Sequence, residues 1–162
     1  MKRAFHSMLF GAILLAGVVS LPPVTQAHGC TMSDVAGKWG YTYTGTIILP
    51  TGAIPAAAVG RFTIDAVGNL SGTQTRSVGG GVGEETIKGT GTVNADCSAT
   101  FKVDVYDGAG NLVRSAVLAS MFVDGAAELR AIFASLVLPN GASLPTVITV
   151  NAKKVASSDQ QN

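Results

Sequence analysis

The sequence predicts an all-β fold, an eight-stranded antiparallel up-and-down barrel that follows a cleaved signal peptide. Three observations carry this reading. The first is a recurring turn: Asp65-Ala66-Val67-Gly68-Asn69-Leu70, Asp107-Gly108-Ala109-Gly110-Asn111-Leu112 and Asp124-Gly125-Ala126-Ala127-Glu128-Leu129 share one pattern. Each runs from an Asp through a small flexible stretch to a polar residue, then to a Leu that starts the next apolar run. Asp and Asn bond their own backbone two residues on and Gly accepts positive φ, so each reads as a hairpin turn. The second is alternation of apolar and polar residues with period two, with no sustained helical period after the leader. The third is the count: eight runs with short links close into a barrel, which removes exposed edges.

The leader comes first. Lys2 and Arg3 form its charged start, 9–21 is apolar but short for a bilayer, and Pro22 and Pro23 break any helix. Thr25-Gln26-Ala27 offers small residues where a signal peptidase reads, which places the cut after Ala27 and the product in a secreted or periplasmic location. Residues 1–27 are then the signal peptide, 28–37 an N-terminal segment tied to the closed end of the barrel, 38–155 the barrel, and 156–162 a disordered tail. The 135 residues left after the cut suffice for one core. A lipoprotein with Cys30 as the lipidated residue is the rival reading, and Ala27-His28-Gly29 fits that signal poorly.

The strand runs fall at 38–49, 57–65, 69–78, 84–94, 97–106, 111–123, 127–138 and 145–155. In the first, Trp39, Tyr41, Tyr43, Ile47 and Leu49 share one parity and Thr42, Thr44 and Thr46 the other. The fifth repeats this, with Phe101, Val103 and Val105 against Thr100, Lys102 and Asp104. Strand parity puts links 2–3, 4–5 and 6–7 at the end where strand 1 enters. Cys30 precedes strand 1 and Cys97 lies at link 4–5, so both cysteines fall at that end. An even count in an exported chain favours a Cys30–Cys97 disulfide, worth roughly 4 kcal/mol in the chain-entropy account. Links 1–2, 3–4 and 7–8, at the opposite end, read as longer and looser: 50–56, 79–83 and 139–144.

Charge and histidine content remove several chemistries. Nine Lys/Arg and ten Asp/Glu remain after the cut, spread without clusters, which predicts no nucleic-acid partner and no polybasic membrane patch. No stable membrane span is expected. His6 leaves with the signal and His28 stands alone at the new N-terminus, so Ser-His-Asp and Cys-His hydrolases lack their imidazole. Zinc and copper lack ligands for the same reason; no metal and no cofactor is expected. Gly79-Gly80-Gly81-Val82-Gly83 reads as a hairpin loop, because no helix start and no Lys-Ser/Thr pair follows it.

Asp34-Val35-Ala36-Gly37-Lys38-Trp39 resembles the Gly-X-Trp opening motif of lipocalins and related calycin barrels. The resemblance implies a calycin-like barrel whose Trp plugs the closed end, with a basic residue near the last strand packed over it, here Lys153 or Lys154. It departs at Gly40, where lipocalins usually carry a bulkier residue, and no C-terminal helix is evident. The short Gly/Thr-rich strands and the leader look equally like allene-oxide-cyclase-type barrels, which implies cyclase or isomerase chemistry on a hydrophobic substrate.

One polar constellation stands out. On strand 3, Ser71, Thr73, Thr75 and Ser77 make one face, which turns Gln74 and Arg76 inward. Pairing Val78 with Gly83 sets Arg76 opposite Glu85 and Gln74 opposite Ile87. With Tyr41 and Tyr43 deeper, these residues predict a largely apolar pocket with a few directed polar groups; a solvated rim ion pair is the competing reading. Tyr41, Tyr43, Gln74, Arg76 and Glu85 are therefore the candidate ligand-binding residues. Three functions stay open: a carrier of a small apolar molecule, a cyclase in which Arg76 stabilises developing negative charge, and a structural barrel with a filled interior. Strands 6 and 7 carry apolar residues on both faces, with Ile132, Leu136 and Leu138 on the outward parity of Glu128 and Arg130. That band predicts a homo-oligomer through strands 6 and 7.

Overall fold

Period-two alternation becomes eight strands: β1 (Gly37–Leu49), β2 (Gly52–Ile64), β3 (Asn69–Val78), β4 (Gly81–Val93), β5 (Ser98–Tyr106), β6 (Leu112–Val123), β7 (Glu128–Val137) and β8 (Thr146–Lys154). Each pairs antiparallel with the next and β8 returns to β1, so the sheet closes. The computed structural model describes residues 29–155. The leader, its cleavage site, His28 and the 156–162 tail lie outside the described residues.

Two of the expected turns form by the expected chemistry. Asp65 Oδ1 accepts the Val67 and Asn69 backbone N–H groups at 3.0 and 2.8 Å, and its Oδ2 takes the Asn69 side-chain amide. Asp107 repeats the arrangement on Ala109 and Asn111. Gly68 and Gly110, at φ +93° and +85°, supply the left-handed residue that each turn needs. The third turn differs. Asp124, Gly125 and Ala126 are all left-handed, and the turn closes through Ala127 N–H to the Asp124 carbonyl at 3.1 Å.

The closed end is aromatic and stapled. A short helix α1 (Met32–Val35) precedes β1 and leads Trp39 into the barrel, where it is fully buried. Its indole N–H donates to the Val35 carbonyl at 3.0 Å, and its ring stacks on Phe62 and meets Phe122 at 5.6 Å between centroids. Lys154, not Lys153, covers the indole, with Nζ 5.7 Å from the ring centroid and donating to the Asp34 carbonyl. The disulfide joins Cys30 to Cys97 at this end, and the Cys30 N–H donates to the Ala95 carbonyl. The N-terminal segment is thereby tied to the β4–β5 link.

The opposite end corrects the expected links. Links 1–2 and 3–4 are two-residue hairpins, Pro50-Thr51 and Gly79-Gly80, rather than loose loops. Strand β2 starts at Gly52 and β4 at Gly81, so both strands run on past the expected starts at 57 and 84. Gly79 and Gly80 both adopt positive φ, the backbone that a tight hairpin requires, and that lets the ladder continue to Val78↔Gly81. Only the β7–β8 link, 138–145, is long; it folds back through Leu144 N–H to the Leu136 carbonyl.

A bulge in β7 explains why that strand looks apolar on both faces, and a second reverses parity at the start of β6. Ladder positions jump from Val105↔Arg114 to Tyr106↔Leu112, which leaves Val113 as an extra residue, and from Val117↔Ser135 to Leu118↔Phe133, which leaves Ala134. Each extra residue flips the parity of what lies beyond it. Leu136, expected to face outward, is buried at 2% exposure because the Ala134 bulge turns it in. The expected outward band of Ile132, Leu136 and Leu138 is thus broken, with Ile132 its strongly exposed member.

Candidate functional site

Between the aromatic closed end and the rim lies an internal cavity of about 60 Å³. A single water needs about 10–15 Å³ measured this way, so the space holds more than one. Its walls are mostly apolar, from Phe62, Leu70 and Ile87 to Phe101, Val103, Val105, Leu118, Leu129, Phe133 and Val150. Tyr41, Tyr43, Gln74 and Arg114 supply the polar part of the lining.

The polar residues form one connected group. Tyr41 Oη donates to Gln74 Oε1 at 2.5 Å, and Gln74 Nε2 donates to Glu85 Oε2 at 2.6 Å. Arg76 Nε donates to Glu85 Oε1 at 2.6 Å. Arg114 grips the same carboxylate with both terminal nitrogens, at 2.7 and 2.6 Å, and its charge acts on the Tyr43 phenol. Glu85 is 5% exposed and Gln74 4%, so the group sits in the barrel rather than on the rim. The rim ion pair weighed from the sequence is thus a buried network.

The structure brings all five predicted residues together but alters their register. Val78 pairs with Gly81, not Gly83, which places Gln74 opposite Glu85 and Arg76 opposite Gly83. The shift is two residues, so parity survives, and Arg76 reaches Glu85 diagonally. Tyr41, Tyr43 and Gln74 line the cavity; Glu85 stands behind Gln74 and Arg114, and Arg76 lies toward the rim with a third of its side chain exposed. Arg114 was not among the predicted residues, although it holds Glu85 most firmly. Read backward from Phe122 through Ser120, Leu118 and Ala116, the β6 parity points Arg114 inward. Read forward from the exposed Leu112 it points outward, and the Val113 bulge decides between them.

Electrostatics fix the protonation of the group. Burial works against the Glu85 carboxylate, yet hydrogen bonds from Arg114, Gln74 and Arg76, with the Arg114 charge, outweigh it and hold the carboxyl below the usual carboxylate range. Burial likewise opposes the Arg114 charge, and Glu85 more than offsets it. Burial pushes both the Tyr41 and Tyr43 phenols up, so each remains a neutral hydroxyl at ordinary pH. With four donors on its two oxygens, Glu85 has no lone pair well placed to take a proton from a substrate. Among the described residues no three His, Cys, Asp or Glu side chains gather as metal ligands. No described helix is long and apolar enough to cross a membrane.

No protein-family model matches this chain, and no curated protein matches it. Among solved structures, a de novo designed fluorescence-activating β-barrel is similar at 10% identity and a TM-score of 0.48, over 76% of this chain and 96% of that one. A redesigned β-barrel, mFAP0, bound to DFHBI is similar at 16% identity and a TM-score of 0.45, over 74% and 98%.

Proposed function

We propose that this protein is an exported barrel that holds one small, largely apolar molecule inside its cavity. The observation that carries this is the cavity itself: an apolar chamber with four polar side chains converging on one side, the usual make-up of a small-molecule site. A barrel built only as structure would fill that space, because empty volume forfeits packing contacts. Export is supported by the leader pattern in residues 1–27 and by the Cys30–Cys97 disulfide, which suits an oxidising compartment. The cyclase reading gains no general base from the saturated Glu85 and rests on positioning and on the Arg76 and Arg114 charges. Met121, Ile132 and Val147, exposed on the outer faces of β6, β7 and β8, support a self-association patch smaller than the sequence suggested.

The test is to fill the chamber. Ala116 lines it and is buried. Ala116→Leu is expected to abolish uptake of xenon, followed by xenon NMR, while the barrel unfolds within about 1–3 kcal/mol of the parent. Unchanged uptake in that variant, or none in the parent, overturns the proposal.

A further inference from the structure

The polar side of the cavity has unequal numbers of charges and of hydrogen-bonding groups, and both imbalances have the same sign. Two guanidiniums, Arg76 and Arg114, face one carboxylate, Glu85, which leaves the group one positive charge. The charge borders the chamber directly, because Arg114 forms part of its wall while Glu85 does not. The Arg114 side chain is only 15% exposed, so water screens it little.

Donors are likewise in excess. A guanidinium has five N–H groups and can only donate. Arg114 gives two to Glu85, so three remain, and its charge acts on the neighbouring Tyr43 phenol. The Tyr43 hydroxyl hydrogen has no protein acceptor among the described residues. Tyr41 already spends its hydrogen on Gln74, whose amide is committed to Glu85. A ligand reaching this wall therefore meets unspent N–H and O–H donors under a positive charge, while the acceptors left in the connected group are the uncharged oxygens of Tyr41, Tyr43 and Gln74.

The geometry points to a small organic anion as the ligand: an apolar body in the chamber and a carboxylate-like head accepting hydrogen bonds from Tyr43 and Arg114. This deepens the proposed function and rests on it. The anion supplies the missing negative charge, and charge-assisted hydrogen bonds in a dry site are stronger than neutral ones. A neutral molecule of the same shape leaves the donors unpaired, which a buried polar group tolerates poorly. A cation meets repulsion.

The experiment compares three probes of one shape on the full exported protein: isobutyrate, 2,3-dimethylbutane and isobutyramidinium, titrated by proton NMR. The expected order is isobutyrate at least tenfold tighter than dimethylbutane, with the amidinium weakest. Tyr43→Phe keeps the ring in the wall and removes the hydrogen. It is expected to weaken isobutyrate several-fold and leave dimethylbutane unchanged. Dimethylbutane binding as tightly as isobutyrate, or a Tyr43→Phe variant that weakens both alike, overturns the anion inference and leaves the apolar-carrier reading in place. Binding of none of the three removes that reading and the inference with it.

Discussion

The two halves of this barrel solve burial in opposite ways. At the closed end the interior is dry and aromatic: Trp39 is wholly buried against Phe62 and Phe122, its single polar atom meets the nearest carbonyl, and Cys30–Cys97 fixes the segment beneath. Toward the other end, Glu85 and Arg114 are carried into the same sheet's interior with Gln74 and two tyrosines around them. Charges inside a barrel are costly unless paired, and replacing such a pair by well-packed apolar residues is often neutral or stabilising. The closed end accounts for stability with simple means. The charged half adds a cost that packing alone does not need, and it borders the cavity.

Substitutions can break or sharpen that contrast. Trp39→Ala removes the plug and is expected to cost about 3–5 kcal/mol in urea unfolding without touching the polar group. Arg114→Ala strands a buried carboxylate and is expected to cost about 3 kcal/mol, toward the lower end for a broken buried pair because Arg76 still holds Glu85. If Arg114→Ala proves harmless, the charged half is a solvated rim and the contrast fails. Acid should act on the same half. The Glu85 carboxyl is held below its ordinary value, so its contribution is present above about pH 4.3, the usual glutamate value. It is lost as pH falls through the lower folded value. Unfolding midpoints measured across that range should drop, and Glu85→Gln should flatten the part due to this residue. Asp65, Asp96 and Asp107 in the exposed turns are also held low by their hydrogen bonds and keep a residual slope. The smallest effect belongs to Arg76→Ala, expected below about 1 kcal/mol because a third of that side chain is in water.

Most of the fold was legible because period-two alternation and turn chemistry are local. The Asp65 and Asp107 turns form as their residues suggest, and Trp39, Tyr41 and Tyr43 all face inward. Strand parity alone placed both cysteines at one end. What was not legible depends on residues that interrupt the period. The two-residue Gly79-Gly80 hairpin moved the β3–β4 pairing by two, since five residues rich in glycine allow several loop lengths. The Val113 and Ala134 bulges cannot be read from side-chain pattern, because an inserted residue looks like any other until its partner strand is aligned. They concealed Arg114 and misdirected Leu136. The constellation of Gln74, Arg76 and Glu85 was found despite the register error because a two-residue shift preserves facing.

The most direct test is native mass spectrometry of the full chain exported by a bacterial host, recorded alone and with saturating isobutyrate. The account predicts a processed chain lacking the two hydrogens of a disulfide, carrying one small molecule or taking up one isobutyrate, and losing that uptake in Ala116→Leu. A chain that carries nothing and takes up no isobutyrate contradicts it, and the barrel is then a structural element whose buried charges serve another end.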